Sequence, residues 1–220
     1  MIVRRARRRS LRGIVALALA ALSALTPLSS PGQGPTGATA APVLSGPALV
    51  QALRKGGYIL YFRHTSTDFG ESDERMTGYE DCARQRSLTE RGRAEARAIG
   101  AAIRGLGIPI GDVLASPYCR TRETAMLIFG RASIAPAVRG GPAQAEAGRY
   151  AELEALLATR VAGGVNLAIA SHGNPSRAVA GGPYLAEGEA AVVEPRGTDG
   201  FRVVARVGKG DWTGLATNPK

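Results

Sequence analysis

The sequence predicts an α/β fold: a single domain with a mainly parallel sheet, helices on both faces of that sheet, and an antiparallel C-terminal hairpin. Two patterns predict this fold. Short segments rich in β-branched and aromatic residues alternate with segments whose apolar residues recur at helical spacing, which is typical of parallel strands joined by helices. The last two strand-like segments flank Gly197-Thr198-Asp199-Gly200, a sequence that favours a hairpin.

The first half of the predicted domain contains a helix, a strand, a polar loop and a long helix. Residues 47–54 have a short helical pattern, residues 57–63 have the composition of a buried strand, and residues 65–86 are polar. Ser87-Leu88-Thr89-Glu90 then matches the S-x-x-E capping box, whose first residue caps a helix. We expect that helix to end at Gly105-Leu106-Gly107.

The second half repeats the alternation of strand and helix. Asn174 followed by Pro175 is typical of a helix N-cap with proline at the first helical position. The other predicted elements are a strand at 112–116, a helix over 121–129, an amphipathic helix at 150–161, a strand at 165–170, and hairpin strands at 190–194 and 201–207.

The first forty residues have the pattern of a secretory signal peptide. A basic stretch at residues 1–12 precedes an apolar run at residues 13–25, and Ala38-Thr39-Ala40 provides the small residues of a cleavage site. The apolar run is short for a hydrocarbon core of about 30 Å. We therefore expect an exported bacterial protein, periplasmic or secreted, without stable membrane insertion after cleavage. A retained membrane anchor is the alternative.

The positive charge of the chain is concentrated in this terminal segment. Residues 1–40 contain six arginines and no acidic residue, so residues 41–220 carry 22 − 18 = +4 of the total charge of +10. A nucleic-acid partner is therefore not expected. Residues 41–56 are predicted as a flexible leader with a short helix, and residues 213–220 as a C-terminal tail.

The chain contains two cysteines, Cys82 and Cys119. In an oxidising compartment this even number predicts one disulfide, and two buried free thiols are the alternative. Neither cysteine has the spacing of a zinc site, so no metal site is expected.

Polar residues follow three of the predicted strands at their carboxyl ends. Arg63 and His64 end the first, Arg120 follows the second, and His172 ends the third. Open α/β sheets bind ligands at this edge, so we expect these side chains to converge there. Guanidinium groups match phosphate oxygens, and an imidazole kept neutral by nearby positive charge is a nucleophile. The sequence therefore predicts a site for a small dianion that needs no cofactor.

At these residues the sequence resembles the histidine phosphatase superfamily, which has the phosphoglycerate mutase-like fold. The matching motifs occur in the family's order and cover residues 57–212, which we take as the domain. They are Tyr61-Phe62-Arg63-His64-Thr65, Ser87-Leu88-Thr89-Glu90-Arg91-Gly92-Arg93-Ala94-Glu95-Ala96, Ala115-Ser116-Pro117-Tyr118-Cys119-Arg120-Thr121-Arg122-Glu123-Thr124-Ala125, and Ser171-His172-Gly173-Asn174.

The resemblance implies a metal-independent phosphatase that acts on a small phosphorylated substrate. His64 is then the nucleophile that takes up the phosphoryl group, and Arg63, Arg120 and His172 hold its oxygens. With the signal peptide, this places the chain in an exported phosphatase branch. The alternatives are a catalytically idle protein that binds a phosphorylated ligand and, less favoured, a phosphotransferase of the phosphoglycerate mutase type.

The sequence departs from the family pattern at two positions. Thr65 replaces the usual glycine, so its hydroxyl either bonds the ligand or narrows the pocket. Gly173 stands where the acid-phosphatase branch has an aspartate, which leaves the proton donor open. We select Glu189, because it begins an antiparallel strand at the same edge of the sheet. The other candidates are Asp68, Glu123, Glu146 and Glu187.

Overall fold

The structure is a computed structural model that describes residues 43–141 and 147–217. A six-stranded sheet forms its centre. The strands are β1 (Ile59–Arg63), β2 (Ile110–Ala115), β3 (Ser133–Ile134), β4 (Asn166–Ser171), β5 (Ala190–Pro195) and β6 (Phe201–Val207). They lie in the order β3-β2-β4-β1-β5-β6. The pairs β1–β4, β2–β4 and β2–β3 are parallel, whereas β1–β5 and β5–β6 are antiparallel. The predicted α/β fold and its C-terminal hairpin are confirmed.

Five α-helices are described: α1 (Gly46–Lys55), α2 (Glu90–Gly105), α3 (Cys119–Phe129), α4 (Ala151–Ala158) and α5 (Gly173–Ala180). Helices cover both faces of the sheet because successive residues of β1 point to opposite sides. Leu60 and Phe62 pack into one buried cluster with residues of α1, α2 and α3, while Ile59 and Tyr61 pack into another with residues of α4.

The segment predicted as a flexible leader belongs partly to the core. Leu49 and Leu53 of α1 are buried against Leu60 and Trp212. Leu215, from the predicted C-terminal tail, also packs against this cluster. The described residues lie within one compact unit, residues 40–220.

The N-termini of two helices differ from the prediction. Thr89, not Ser87, caps α2: its Oγ1 accepts a hydrogen bond from the amide of Gly92. His172, not Asn174, occupies the N-cap position of α5. In each case the residue selected from sequence is held by tertiary contacts: the Ser87 amide donates to Glu71, and the Asn174 side chain bonds the Gly141 carbonyl.

The predicted signal peptide at residues 1–40 lies outside the described residues. Within residues 43–141 and 147–217, no helix has the length and apolar character needed to cross a membrane.

Candidate active site

Parallel pairing of β1 with β4 brings both histidines to one edge of the sheet. Arg63 pairs with Ser171 at the ends of these strands, and His64 and His172 follow directly. The amide of His64 donates to the Ser171 carbonyl at 3.0 Å, and the two imidazole ring centres lie 5.6 Å apart. The sheet register therefore produces the convergence that the sequence predicts.

The His64 ring is held so that one nitrogen carries a proton and the other does not. Nδ1 lies 3.0 Å from the Thr65 carbonyl oxygen, which can only accept a hydrogen bond. Nδ1 is therefore the donor, and Nε2 keeps its lone pair. Burial lowers the pKa of His64 to about 3, and the charges of Arg120, Arg63 and Arg86 act in the same direction. His64 is neutral at physiological pH.

His172 is buried beside it and is also neutral. Its Nε2 lies 2.8 Å from Ser116 Oγ, and the edge of the Tyr118 ring contacts the imidazole with ring centres 5.0 Å apart. Burial, reinforced by the charge of Arg120, lowers the pKa of His172 well below its usual value. The second imidazole is therefore uncharged, with one ring nitrogen that donates a hydrogen bond and one that accepts.

Three arginines lie close enough to the two rings for their charges to lower the pKa of both histidines. Arg120 is only 5% exposed, and its Nη1 donates to Asp73 Oδ1 at 2.9 Å. Arg63 Nη1 donates to the Leu185 carbonyl at 2.9 Å. Arg86 is the third: its charge lowers the pKa of both histidines, and its amide donates to the same Asp73 oxygen that Arg120 uses. The sequence does not identify Arg86 as a site residue, because its position directly before the Ser87 motif is its only signal.

The arginine cluster has more donors than acceptors. Among the residues that the structure describes, five buried side-chain nitrogens have no hydrogen-bond partner, and three of them are the Nε atoms of Arg63, Arg86 and Arg120. Buried donors without acceptors are uncommon in folded proteins. An anion would supply both the negative charge and the acceptors that this cluster lacks.

The structure does not bring Glu189, the proton donor selected from sequence, to the imidazoles. Its carboxylate forms a bidentate pair with Arg206 at 2.7 and 2.8 Å and also accepts from the Ala186 amide. These hydrogen bonds hold the pKa of Glu189 below its usual value despite partial burial, which raises it. Gly188 (φ +78°) separates the two carboxylates, and Glu187 instead accepts a hydrogen bond from Thr67.

Glu187 is the carboxylate that lies beside His64. Its Oε1 is 3.9 Å from His64 Nδ1 and 3.6 Å from Arg63 Nη2. Thr67 fixes this carboxylate by donating from Oγ1 at 2.6 Å and from its amide at 3.3 Å. Glu187 therefore contacts the protonated side of the His64 ring.

The other carboxylates considered in the sequence analysis are placed elsewhere. Asp68 accepts from the Gly70 amide in an exposed turn, and Glu123 pairs with Arg93 at 2.6 Å. Glu146 lies outside the described residues. Within the described ranges, no group of three or more His, Cys, Asp or Glu residues could hold a metal ion.

Cys82 and Cys119 form the predicted disulfide, with Cα atoms 5.7 Å apart. It joins a short 3-10 helix in the loop after β1 to the first residue of α3. The Cys119 amide also donates to Gln85 Oε1 at 2.9 Å. The loop that carries Arg86 is thus fastened to the helix that carries Arg120.

Thr65 packs against α3. Its amide and its Oγ1 lie 3.3 and 3.4 Å from Thr124 Oγ1, and the residue is fully buried. Gly173 allows the Tyr184 ring to pack closely against the backbone, because a Cβ at this position would meet that ring. The two residues that depart from the family pattern, Thr65 and Gly173, thus each contact a neighbouring side chain, Thr124 and Tyr184 respectively.

Part of the chain is similar to a known protein family. Residues 59–155 match the sequence model of the histidine phosphatase superfamily (branch 1). No curated protein matches the chain.

Several solved structures match the chain at low identity. They include a SixA protein from Agrobacterium tumefaciens (17% identity, 69% of this chain and 97% of that chain, TM-score 0.49). The protein histidine phosphatase SixA complexed with tungstate is 20% identical over the same shares of the two chains, with TM-score 0.49. A protein from Thermus thermophilus is 23% identical over 69% of this chain and 99% of that chain, with TM-score 0.44.

Proposed function

We propose that the chain, whose residues 59–155 match the histidine phosphatase superfamily model, is a member of this superfamily and hydrolyses phosphomonoesters through a phosphohistidine intermediate on His64. One observation carries the proposal. His64 is a buried, neutral imidazole whose Nδ1 is occupied by the Thr65 carbonyl, and three arginines surround it. Within the described part of the chain, Nε2 of this ring has no hydrogen-bond partner, so its lone pair is available to attack phosphorus.

The proposed reaction has two displacements at phosphorus. In the first, a bond forms between His64 Nε2 and phosphorus, and the ester P–O bond breaks; its electron pair stays with the alcohol oxygen, which takes a proton from solvent. In the second, a water molecule attacks phosphorus and loses a proton to solvent, and the P–N bond returns its electrons to Nε2. Arg63, Arg86 and Arg120 stabilise the charge on the phosphoryl oxygens in both steps, with His172 beside them.

We assign Glu187 a positioning role. When Nε2 binds phosphorus, the His64 ring becomes cationic, and the Glu187 carboxylate lies 3.9 Å from the nitrogen that keeps its proton. An opposite charge at this distance stabilises the cationic ring. Glu187 would therefore lower the energy of the intermediate.

The arginines supply the positive charge that a metal ion provides in other phosphatases, so we propose a metal-independent reaction. We also propose that the protein is exported, on the basis of the signal-like pattern of residues 1–40, with the Cys82–Cys119 disulfide in support. The expected N-terminus of the mature protein is near Ala41.

Turnover of p-nitrophenyl phosphate by the purified protein tests the activity. We expect phosphate release that persists in EDTA and is abolished in His64→Ala. Loss of activity in EDTA that a divalent ion restores would contradict the metal-independent reaction. Binding of orthophosphate without turnover of any phosphomonoester would instead identify a catalytically idle binding protein.

A further inference from the structure

Each of the three site arginines has an aromatic ring over its guanidinium group. The guanidinium carbon of Arg63 lies 5.1 Å from the centre of the Tyr184 ring. The corresponding distances are 4.9 Å from Arg86 to Phe69 and 4.5 Å from Arg120 to Tyr118. Tyr79 extends this group, because its ring contacts Tyr118 edge-on with ring centres 5.2 Å apart. We call Phe69, Tyr79, Tyr118 and Tyr184 the aromatic collar.

The collar contains all the exposed aromatic side chains that residues 43–141 and 147–217 present. Phe69 is 72% exposed, Tyr79 is 37% exposed and Tyr184 is 38% exposed. Single exposed apolar residues are ordinary, but a cluster of them around a charged site marks a binding surface. Stacking on arginine uses one face of a ring, and the exposed area of these rings remains for a ligand.

Contacts from separate parts of the chain hold the collar in place. Phe69 and Tyr79 belong to the loop after β1, and Tyr118 directly precedes α3. The Cys82–Cys119 disulfide joins these two segments. The Tyr184 hydroxyl donates to Asn174, and its ring lies against Gly173, the residue after His172. The rings are therefore positioned before any ligand arrives, which reduces the entropy lost on binding.

On the basis of the proposed function, we propose that the collar selects phosphomonoesters whose ester oxygen is attached to an aromatic ring. When the phosphoryl group lies among the arginines, the ester group extends outward between collar side chains. Offset and edge-to-face contacts favour a flat aromatic group there over an aliphatic one of equal size.

The chemistry of an aromatic ester suits this site. As Nε2 of His64 bonds to phosphorus, the aryl P–O bond breaks and its electron pair moves to the phenolic oxygen. A phenol has a pKa of about 10, far below that of an alcohol, so the phenolate departs with little need for a proton donor. It then takes a proton from water.

Binding of two matched phosphonates tests the collar without depending on turnover. Benzylphosphonate and cyclohexylmethylphosphonate carry the same charge and groups of similar size, and neither can be hydrolysed at its P–C bond. Isothermal calorimetry of the purified protein should show benzylphosphonate binding about tenfold more tightly. Phe69→Leu and Tyr184→Leu should reduce this preference to below about threefold, while Ile134→Ala, an exposed residue of β3, should retain it.

Orthophosphate, which has no ring, distinguishes two roles of the collar: recognition of the ester group and orientation of the guanidinium groups. If the collar selects aromatic groups, Tyr184→Leu changes the affinity for orthophosphate by less than about threefold. An equal loss for orthophosphate and both phosphonates would mean that the rings only orient the guanidinium groups, and would overturn the proposal. So would equal affinities of the wild-type protein for the two phosphonates.

Failure of this proposal is distinguishable from failure of the proposed function. Turnover of phosphomonoesters without an aromatic preference leaves the phosphatase and removes the collar's role. A strong preference without turnover supports the collar in a binding protein. Comparison of kcat/KM for free phosphotyrosine and for a phosphotyrosine peptide distinguishes two sources of the same chemistry. Higher values for the peptide identify proteins as the source, and equal or lower values identify small aryl phosphates.

Discussion

At the scale of single residues, two imidazoles remain uncharged beside three guanidinium groups. Burial and positive charge both disfavour protonation of His64 and His172, so the pKa of each histidine lies below its usual value. An anionic ligand would reverse the electrostatic part of this effect. The site is therefore arranged to bind negative charge while keeping its nucleophile unprotonated.

Replacing Arg120 should lower the phosphatase activity far more than replacing Arg122, although both residues lie in α3. Arg120 is buried at the site, whereas Arg122 pairs with the exposed Glu80. We expect Arg120→Ala to lower kcat/KM for p-nitrophenyl phosphate by about 10²-fold or more, because it removes charge stabilisation at phosphorus. Arg122→Ala is the control and should stay within about twofold of the wild type. Similar losses in the two variants would contradict this placement.

Glu187 and Glu189 form a second matched pair. Glu187→Gln removes the charge beside His64 Nδ1 and should lower kcat about tenfold with little change in KM, because the cationic intermediate loses its counter-charge. Glu189→Gln alters the contacts with Arg206 and with the Ala186 amide, neither of which involves the imidazoles, and should leave kcat near the wild-type value. Steady-state kinetics of both variants decides between them. A large loss of kcat in Glu189→Gln alone would restore Glu189 as the proton donor.

At the scale of elements, the disulfide connects the two segments that carry Arg86 and Arg120. It closes a loop with a sequence separation of 37 residues. The chain-entropy model assigns about 4 kcal/mol of stability to a loop of this size. The disulfide should also affect activity, because the two segments that it links carry three rings of the aromatic collar.

Removal of the disulfide should therefore lower both stability and activity. We expect Cys82→Ser/Cys119→Ser to unfold at a lower temperature and to have a lower kcat/KM than the wild type. Treatment of the wild type with a reductant should reproduce the variant, and the same treatment of the variant should change nothing. An unchanged Tm in the variant would show that the bridge contributes no net stability.

The sequence predicts the elements whose patterns are local and misses contacts that arise in three dimensions. Strands β1 and β4 are recognisable because both are continuous apolar runs, and their parallel pairing places His64 and His172 together. Arg86 lies in an irregular loop, so its approach to the histidines depends on Asp73 and the disulfide. Strand β3 has two residues, too few for a pattern.

Tertiary contacts explain why Ser87 does not cap α2 and why the Glu189 carboxylate does not lie beside the imidazoles. Residues 87–90 match a capping box, but Leu88 is buried and pairs with Thr67, which keeps the backbone extended up to Thr89. Glu189 directly precedes β5, so the sequence predicts the edge of the sheet at which its backbone lies. Its carboxylate pairs with Arg206, which lies in the next strand.

At the scale of the whole molecule, the buried neutral histidines link stability to pH. The unfolded chain takes up a proton on His64 near pH 6.5, whereas the folded chain does so only near pH 3. Between these values the unfolded state binds more protons, so the free energy of unfolding decreases as the pH falls. His64 contributes up to about 1.4 kcal/mol per pH unit in this window.

We therefore expect His64→Asn to show a weaker dependence of stability on pH. Urea unfolding between pH 6.5 and pH 4 should give a smaller decrease in the free energy of unfolding for the variant than for the wild type. Orthophosphate should stabilise the wild type, since it binds the folded state. Identical pH dependence in the two proteins would show that His64 titrates normally in the folded state.

The central claim is that His64 carries the phosphoryl group on Nε2. Rapid quenching of the protein with a phosphomonoester substrate, followed by mass spectrometry under alkaline conditions, tests this claim directly. We expect an acid-labile phosphoramidate on His64, with phosphorus on Nε2 because the Thr65 carbonyl holds the proton on Nδ1. Phosphorylation of His172, phosphorylation of His64 at Nδ1, or full turnover by His64→Ala would contradict it.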